Sequence, residues 1–482
     1  MTEVPRRKAG FLTRLAYGFG AAGDGIKNNG FEYFLLLYYG QVLGVDFALV
    51  GAALLTAMIV DGFTDPIVGY WSDNLRTKFG RRHPFMYAAI LPVGIAYYFV
   101  WNPPAGLEGN ALFPYLLAIT IAVRVSFTFY VVPSSALVAE LTDDYDERTS
   151  FLTFRYVFGW MGGLFIAVYA LRFLLVPTEE YGSGFFNIDG YETYGLISAC
   201  MICFSVFVCA AGTHSHIPNL RQPPPTRKMT IGRVFREIGE TLSNRSFLWL
   251  FVATLFGFMA NGVAATLNYF INGFFWEFTT SQTSLLTLSV FVSALLALIL
   301  APIVSRTLGK KRGALTIGIL AFSIAPAPVL FRLLGLMPAN GTDLLFNIIL
   351  FVTMIDVALI ICFQILSSSM IADIVEDSEL KTGRRSEGIF FAGILFIRKL
   401  ARGSGLFLAS LILAGANLSR DMQPGELSAE TLTVLGAGYA FGLLALWTTM
   451  IILLSRYKIS REDHEANLAA LDRGRRAADV VE

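Results

Sequence analysis

Two aspartates and a threonine sit together in an otherwise apolar run, Asp61-Gly-Phe-Thr64-Asp65-Pro66. A spacing of four places both carboxylates on one helix face, about one turn apart. Two poorly solvated carboxylates that close do not both stay ionised without a counter-charge. A proton or a hard monovalent cation such as Na⁺ would supply it. Thr64 can add a hydroxyl oxygen, and Thr128, on a different apolar run, can add another from across a bundle. The structural alternative is a salt bridge to a base on another helix, and Arg124, Arg155 and Lys399 are available for it.

Other charges stand in similarly apolar surroundings, where each costs at least about 2.5–3.5 kcal/mol on insertion scales. Asp24, Lys27, Asn28 and Glu32 share one helical stripe. A stripe this polar must face a cavity or the charges of a neighbouring helix, so it is expected to line a substrate path, with Asp24–Lys27 self-compensation as the alternative. Gly18, Gly20, Gly23 and Gly25 allow close helix approach beside it. Arg124 and Arg155 join this path, Arg155 about one turn inside its helix as a gate or an interfacial anchor. Lys399 is the deepest of Arg398, Lys399 and Arg402. Opposite Asp61 and Asp65 it would form a pair that opens when ligand or ion binds. Asp73, Arg81 and Arg82, with Glu140 and Asp373, are the expected gate. The acidic stretches 143–148 and 376–381 could pair with such bases, and exposed pairs of this kind contribute little individually. His214 and His216 read as ordinary loop residues.

The elements that must position these groups are membrane spans. Of 482 residues, 55% are apolar, 15% are charged and 41 are Phe, with a net charge of +1 and a mean hydropathy of +0.59. A soluble chain carries about a quarter charged residues, and a balance this neutral gives no reason to expect nucleic acid. Four cysteines lie inside apolar runs and form neither a disulfide framework nor a metal site. A span needs about 20 mostly apolar residues. Twelve such stretches are predicted: 14–42, 47–72, 84–101, 113–140, 151–176, 193–212, 246–275, 284–305, 314–335, 343–372, 387–415 and 431–456.

Lys and Arg cluster before the first stretch and between the second and third, eighth and ninth, and tenth and eleventh. The opposite connections hold almost none, Arg420 being the exception. The positive-inside rule then makes both termini cytoplasmic, as an even number of spans requires. The expected organisation is 1–212, a six-helix bundle; 213–245, a Pro-rich basic linker with a possible interfacial helix at 231–242; 246–456, a second six-helix bundle; and 457–482, a cytoplasmic tail. Asp65-Pro-Ile-Val-Gly recurs as Ala301-Pro-Ile-Val-Ser, and Ala139-Glu-Leu-Thr-Asp-Asp as Ala372-Asp-Ile-Val-Glu-Asp. A nearly constant offset in the same order is the mark of duplication and of a carrier whose halves rock about a central site. Ala301 at the counterpart of Asp65 shows that the fold itself does not require that acid.

Three motifs in order carry a family resemblance: Asp61-Gly-Phe-Thr-Asp-Pro-Ile-Val-Gly-Tyr-Trp-Ser-Asp73 continuing to Phe79-Gly-Arg-Arg-His-Pro84, Glu140-Leu-Thr-Asp-Asp-Tyr-Asp-Glu-Arg148, and Ala372-Asp-Ile-Val-Glu-Asp-Ser-Glu-Leu-Lys-Thr-Gly-Arg-Arg-Ser-Glu-Gly388. With the opening Tyr17-Gly-Phe-Gly-Ala21, the chain resembles the glycoside–pentoside–hexuronide:cation symporters of the major facilitator superfamily, in the melibiose permease branch. The resemblance implies an all-α membrane protein of twelve transmembrane helices in two pseudo-symmetric six-helix bundles. It implies cation ligands at Asp61, Thr64, Asp65 and Thr128, an associated lysine at Lys399, and a sugar contact at Arg155. Asp24 stands one residue out of register with the family's first-helix sugar aspartate. Val131 and Ser135 replace the aspartate and tryptophan that grip galactosides, so a galactoside is not implied. Related carriers include lysophospholipid symporters.

The expectation is therefore a monomeric plasma (inner) membrane symporter, not an enzyme, driven by Na⁺ or H⁺ and carrying a sugar, glycoside or sugar acid. It needs no cofactor beyond the coupling ion, and its partners are the small-molecule substrate, the cation and the bilayer. An amphiphile carrier or an uncoupled facilitator is the alternative.

Overall fold

A computed structural model describes residues 10–142, 145–219, 245–382, 387–418 and 422–456. Among these every long element is a helix. In chain order they are α1 (Phe11–Asn29), α2 (Phe47–Asn74), α3 (His83–Trp101), α4 (Phe113–Leu141), α5 (Tyr145–Tyr169), α6 (Ile188–His214), α7 (Arg245–Phe270), α8 (Thr280–Leu308), α9 in two pieces (Lys310–Ile324 and Ala327–Leu333), α10 (Asp343–Thr382), α11 (Glu387–Gly415) and α12 (Ala429–Ser455). With lipid as solvent a backbone must satisfy its own hydrogen bonds, and helices do so within one segment.

Among the described residues ten helical stretches are long and apolar enough to cross a bilayer. The two predicted spans outside that set are α1 with its continuation and α11. Both are helical, but they carry Asp24, Lys27 and Glu32, or Arg398, Lys399 and Arg402, in their middles. Their polarity is why composition alone undercounts the spans. The predicted linker helix at 231–242 lies outside the described residues.

The chain divides into two compact units. One comprises Met1–Arg227, Ala265–Thr287 and Leu406–Leu432; the other comprises Lys228–Ala264, Leu288–Gly405 and Thr433–Glu482. In the first unit α1 packs against α5 and α6, α2 against α4, and α3 against α4 and α6. The α1–α5 seam depends on small residues. A methyl group on Gly25 would land on the Gly159 carbonyl, and one on Gly162 would press on Ala22 at 2.7 Å. Far along the chain from the basic loops, α1 continues as π-helical turns at Gly30–Phe34 and Leu37–Val42. There an aromatic core forms around Trp101, with Tyr191 stacked at 6.0 Å and Tyr38 packed on Tyr191 at 4.7 Å. The phenols find carbonyl acceptors, Tyr38 on Trp101 at 3.0 Å and Tyr39 on Val100 at 2.8 Å, as buried tyrosines must. The end of α7 joins this core, with Tyr269 at 5.1 Å from Phe34.

In the second unit α10 packs on α9, and Phe322 stacks on Trp447 at 4.4 Å. Ser293 on α8 donates to the Met354 carbonyl on α10 at 2.8 Å. Gly405 on α11 lies against the α7 backbone at Met259 and Gly262.

Candidate functional site: a buried carboxylate cluster

The site grows from three helices of the first unit. On α2, Asp61 is buried and Asp65 half-buried, one turn apart, as the spacing requires. Pro66 follows directly and lacks the N–H that would bond the Gly62 carbonyl, which loosens the helix ladder beside the acids. From α4 the buried Thr128 hydroxyl reaches Asp61 Oδ1 at 2.8 Å and Asp65 Oδ1 at 3.2 Å, and its own turn's Arg124 carbonyl at 3.1 Å. A hydroxyl has a single hydrogen. It cannot donate to three acceptors at once, so the three oxygens compete for its one proton.

Arg124, one turn before Thr128, sets its guanidinium 3.6 Å from Asp61 Oδ2, with both side chains almost fully enclosed. The same guanidinium lies over the Phe31 ring at 5.4 Å. Phe31 is in the first π-helical turn of α1, and π-bulges recur at functional sites because they re-aim a helix face. Lys27 sits over Phe127, the residue before Thr128, at 4.2 Å, and pairs with Asp24 at 3.0 Å. The self-compensating pair on α1 is thus present, and it also abuts the carboxylate cluster through α4. Arg155 on α5 bonds the Tyr17 hydroxyl at 3.1 Å and the Ser134 hydroxyl at 3.3 Å, knitting α1, α4 and α5.

Of the predicted cation ligands, Asp61, Asp65 and Thr128 are brought together. Thr64 is turned differently, its hydroxyl donating to the Asp61 backbone carbonyl at 3.1 Å. The salt-bridge alternative also has substance, because Arg124 meets Asp61. Asn28 is half-buried on the α1 stripe. Lys399 is half-buried on α11 in the second unit.

The predicted gate residues assemble around one acid. Glu140 Oε1 accepts from Arg81 and from Arg82, each at 2.7 Å, while Arg82 also pairs with Asp73 at 2.6 Å and donates to the Ser72 hydroxyl at 2.9 Å. The turn that delivers both arginines needs Gly80, whose φ is +72°. Glu140 is thus brought together with Arg81, Arg82 and Asp73, four of the predicted gate residues. Asp143 and Asp144 and the side chain of Asp373 lie outside the described residues, and α10 stays helical through 376–381, where a loop was expected. His214 and His216 are more embedded than loop residues: His214 bonds the Tyr87 hydroxyl at 3.0 Å and His216 the Thr13 hydroxyl at 3.2 Å.

Sequence reasoning passed over one membrane-embedded carboxylate, Asp356 on α10. The signal that could have found it was the one used elsewhere, an acid in the middle of a span.

Residues 16–461 match the family described as MFS/sugar transport protein. The inner membrane symporter YicJ of Escherichia coli (strain K12) is 23% identical over 83% of this chain and 82% of its own length. The isoprimeverose transporter of Lactiplantibacillus pentosus is 24% identical over 89% and 84%. The sphingosine-1-phosphate transporter MFSD2B of Mus musculus is 24% identical over 95% and 92%. Among solved structures, the nucleoside transporter NupG superposes with a TM-score of 0.60, covering 94% of this chain and 100% of that one at 14% identity, a likeness of fold. This chain belongs to the MFS/sugar transport family, within the glycoside–pentoside–hexuronide:cation symporter family of the major facilitator superfamily, and is an integral membrane carrier rather than an enzyme.

Proposed function

We propose that this carrier couples the uphill movement of a sugar or glycoside to a monovalent cation, Na⁺ or H⁺, held at Asp61 and Asp65. The observation that carries this is the Thr128 hydroxyl within 3.2 Å of both carboxylates. Asp61, Asp65 and Arg124 together carry one net negative charge, so one monovalent cation neutralises the group. Oxygen-only ligands suit a hard ion, and Thr128 supplies a neutral oxygen between two charged ones. Arg124 serves as the internal counter-charge that keeps Asp61 tolerable when the ion is absent. Lys27, Asn28, Asp24, Arg155 and Lys399 are assigned to the substrate path, and the Glu140–Arg81–Arg82–Asp73 cluster to the cytoplasmic gate, with both termini cytoplasmic. In this reading the halves 1–212 and 246–456 rock about the site, giving alternating access by a monomer.

The test is uptake into proteoliposomes of labelled isoprimeverose, the sugar in one relative's name, under an imposed Na⁺ or H⁺ gradient. Wild type accumulates the sugar above equilibrium, and the D61N/D65N variant loses accumulation. Undiminished accumulation by that variant refutes the assignment; retained equilibration without any ion dependence in wild type identifies an uncoupled facilitator. A second reading, carriage of a phospho-amphiphile, is favoured by the likeness to the sphingosine-1-phosphate carrier. Competition by that lipid but not by the sugar would select it.

A further inference from the structure

The second unit holds an acid that the mechanism above leaves unused. Asp356 lies thirteen residues on from Asp343, where the apolar span Asp343–Ser367 begins. At 1.5 Å per residue that is about 20 Å along the helix, well inside a hydrocarbon layer about 30 Å thick. Its Oδ1 is sealed from solvent and has no hydrogen-bond donor. The residue as a whole is only partly buried.

No base offers a charge pair from the helices packed around it. The stretches 280–305, 313–331, 343–372 and 431–455 contain no Lys, Arg or His. On α8 the first base is Arg306, on α9 the bases are Lys310, Lys311 and Arg312 at its start and Arg332 at its end, and on α12 the charge is Glu430 in the first turn. Arg398, Lys399 and Arg402 on α11 belong to the same unit, and among the described residues no salt bridge includes Asp356. The Tyr439 phenol on α12 is a titratable neighbour of Asp356.

An ionised carboxylate in this setting has neither a counter-ion nor a donor, and the neutral acid removes both deficits. A partly buried acid facing lipid is disfavoured, whereas one facing water can exchange its proton. The repeat adds a reason for the position. Applying the offset that relates Glu140 to Asp373, Asp356 takes the register position of Val123, the neighbour of Arg124. The second repeat therefore carries an acid where the first carries an apolar residue, so the shared helix packing does not itself require it.

We infer that Asp356 is a separate proton-binding site of the second unit, exchanging its proton with water. Its ligand is H⁺: hydronium protonates the carboxylate and leaves water, and the reverse step returns the proton. This assignment is independent of the cation reading for Asp61 and Asp65.

The experiment is infrared spectroscopy of the full chain in lipid nanodiscs. A carboxylic acid C=O band is expected at neutral pH, shifting on exchange into D₂O and converting to carboxylate as the pH is raised. The band is lost in D356N and kept in the D61N/D65N variant. D356E, which retains an acid, moves the band without abolishing it and guards against misfolding of D356N. Persistence of the whole carboxylic acid signal in well-folded D356N shows that Asp356 is ionised and overturns the proposal. A band that is lost in D356N but never shifts in D₂O marks a sealed structural acid and overturns it equally.

Discussion

Replacing Thr128 with valine removes one hydroxyl while keeping the side-chain shape. That hydroxyl touches Asp61 Oδ1 at 2.8 Å and Asp65 Oδ1 at 3.2 Å. A hydrogen bond to a charged group contributes about 1.5–3 kcal/mol, and in the cation-loaded site the same oxygen would face the ion instead. Since about 1.4 kcal/mol is a tenfold change in affinity, T128V should weaken cation binding roughly tenfold to hundredfold. Binding to the folded state stabilises it by mass action, so a thermal unfolding series in Na⁺ against an inert organic cation reads this without knowing the transported sugar. At a Na⁺ concentration a hundred times the wild-type Kd, wild type gains about 2.7 kcal/mol, a tenfold weaker variant about 1.4 and a hundredfold weaker one about 0.4. Any packing cost of valine is common to both media and cancels in the difference. A wild-type half-saturating Na⁺ concentration in T128V, with the response abolished in D61N, would refute the cage and leave Thr128 as packing alone.

Two structural contrasts carry the other predictions. E140Q strips the acid shared by Arg81 and Arg82 at 2.7 Å, leaving buried guanidinium charge. It should cost about 3–5 kcal/mol, whereas D73N, at a carboxylate 46% exposed, should cost about 0–1 kcal/mol; denaturant or thermal unfolding in detergent compares them. G25A drives a methyl into the Gly159 carbonyl and should destabilise by about 1–3 kcal/mol or more. G182A, with nothing within 4 Å of the added carbon, should stay within about 0.5 kcal/mol of wild type.

Much of this architecture was readable because a bilayer imposes harsh arithmetic. Each run of about 20 apolar residues has to become a helix, and the starts of α2 and α3 and the end of α11 fall within a residue of expectation. The polar stripe on α1 and the acids on α2 were equally visible, since a charge inside such a run stands out without any knowledge of neighbours. The spacing of Asp61 and Asp65 fixes their common face by helix geometry alone. By the same logic Asp356 was legible, and it was overlooked because it stands alone, without the second acid that drew attention to α2.

What the sequence could not decide was pairing across helices. It offered Arg124, Arg155 and Lys399 equally as partners for the acids, and packing selected Arg124 for Asp61, turning Arg155 to Tyr17 and Ser134 instead. It offered Thr64 and Thr128 as neutral oxygens, and the α2 backbone claimed the Thr64 hydroxyl. Glu140 became the anchor of Arg81 and Arg82 because the Gly80 turn swings both toward α4. Composition, period and charge are properties of one segment, so the sequence alone determined the solvent, the helices and the face each charge occupies. Which of those faces meet depends on the approach of segments some 60 residues apart, set by small residues, π-turns and a glycine turn, and only the tertiary structure decided it.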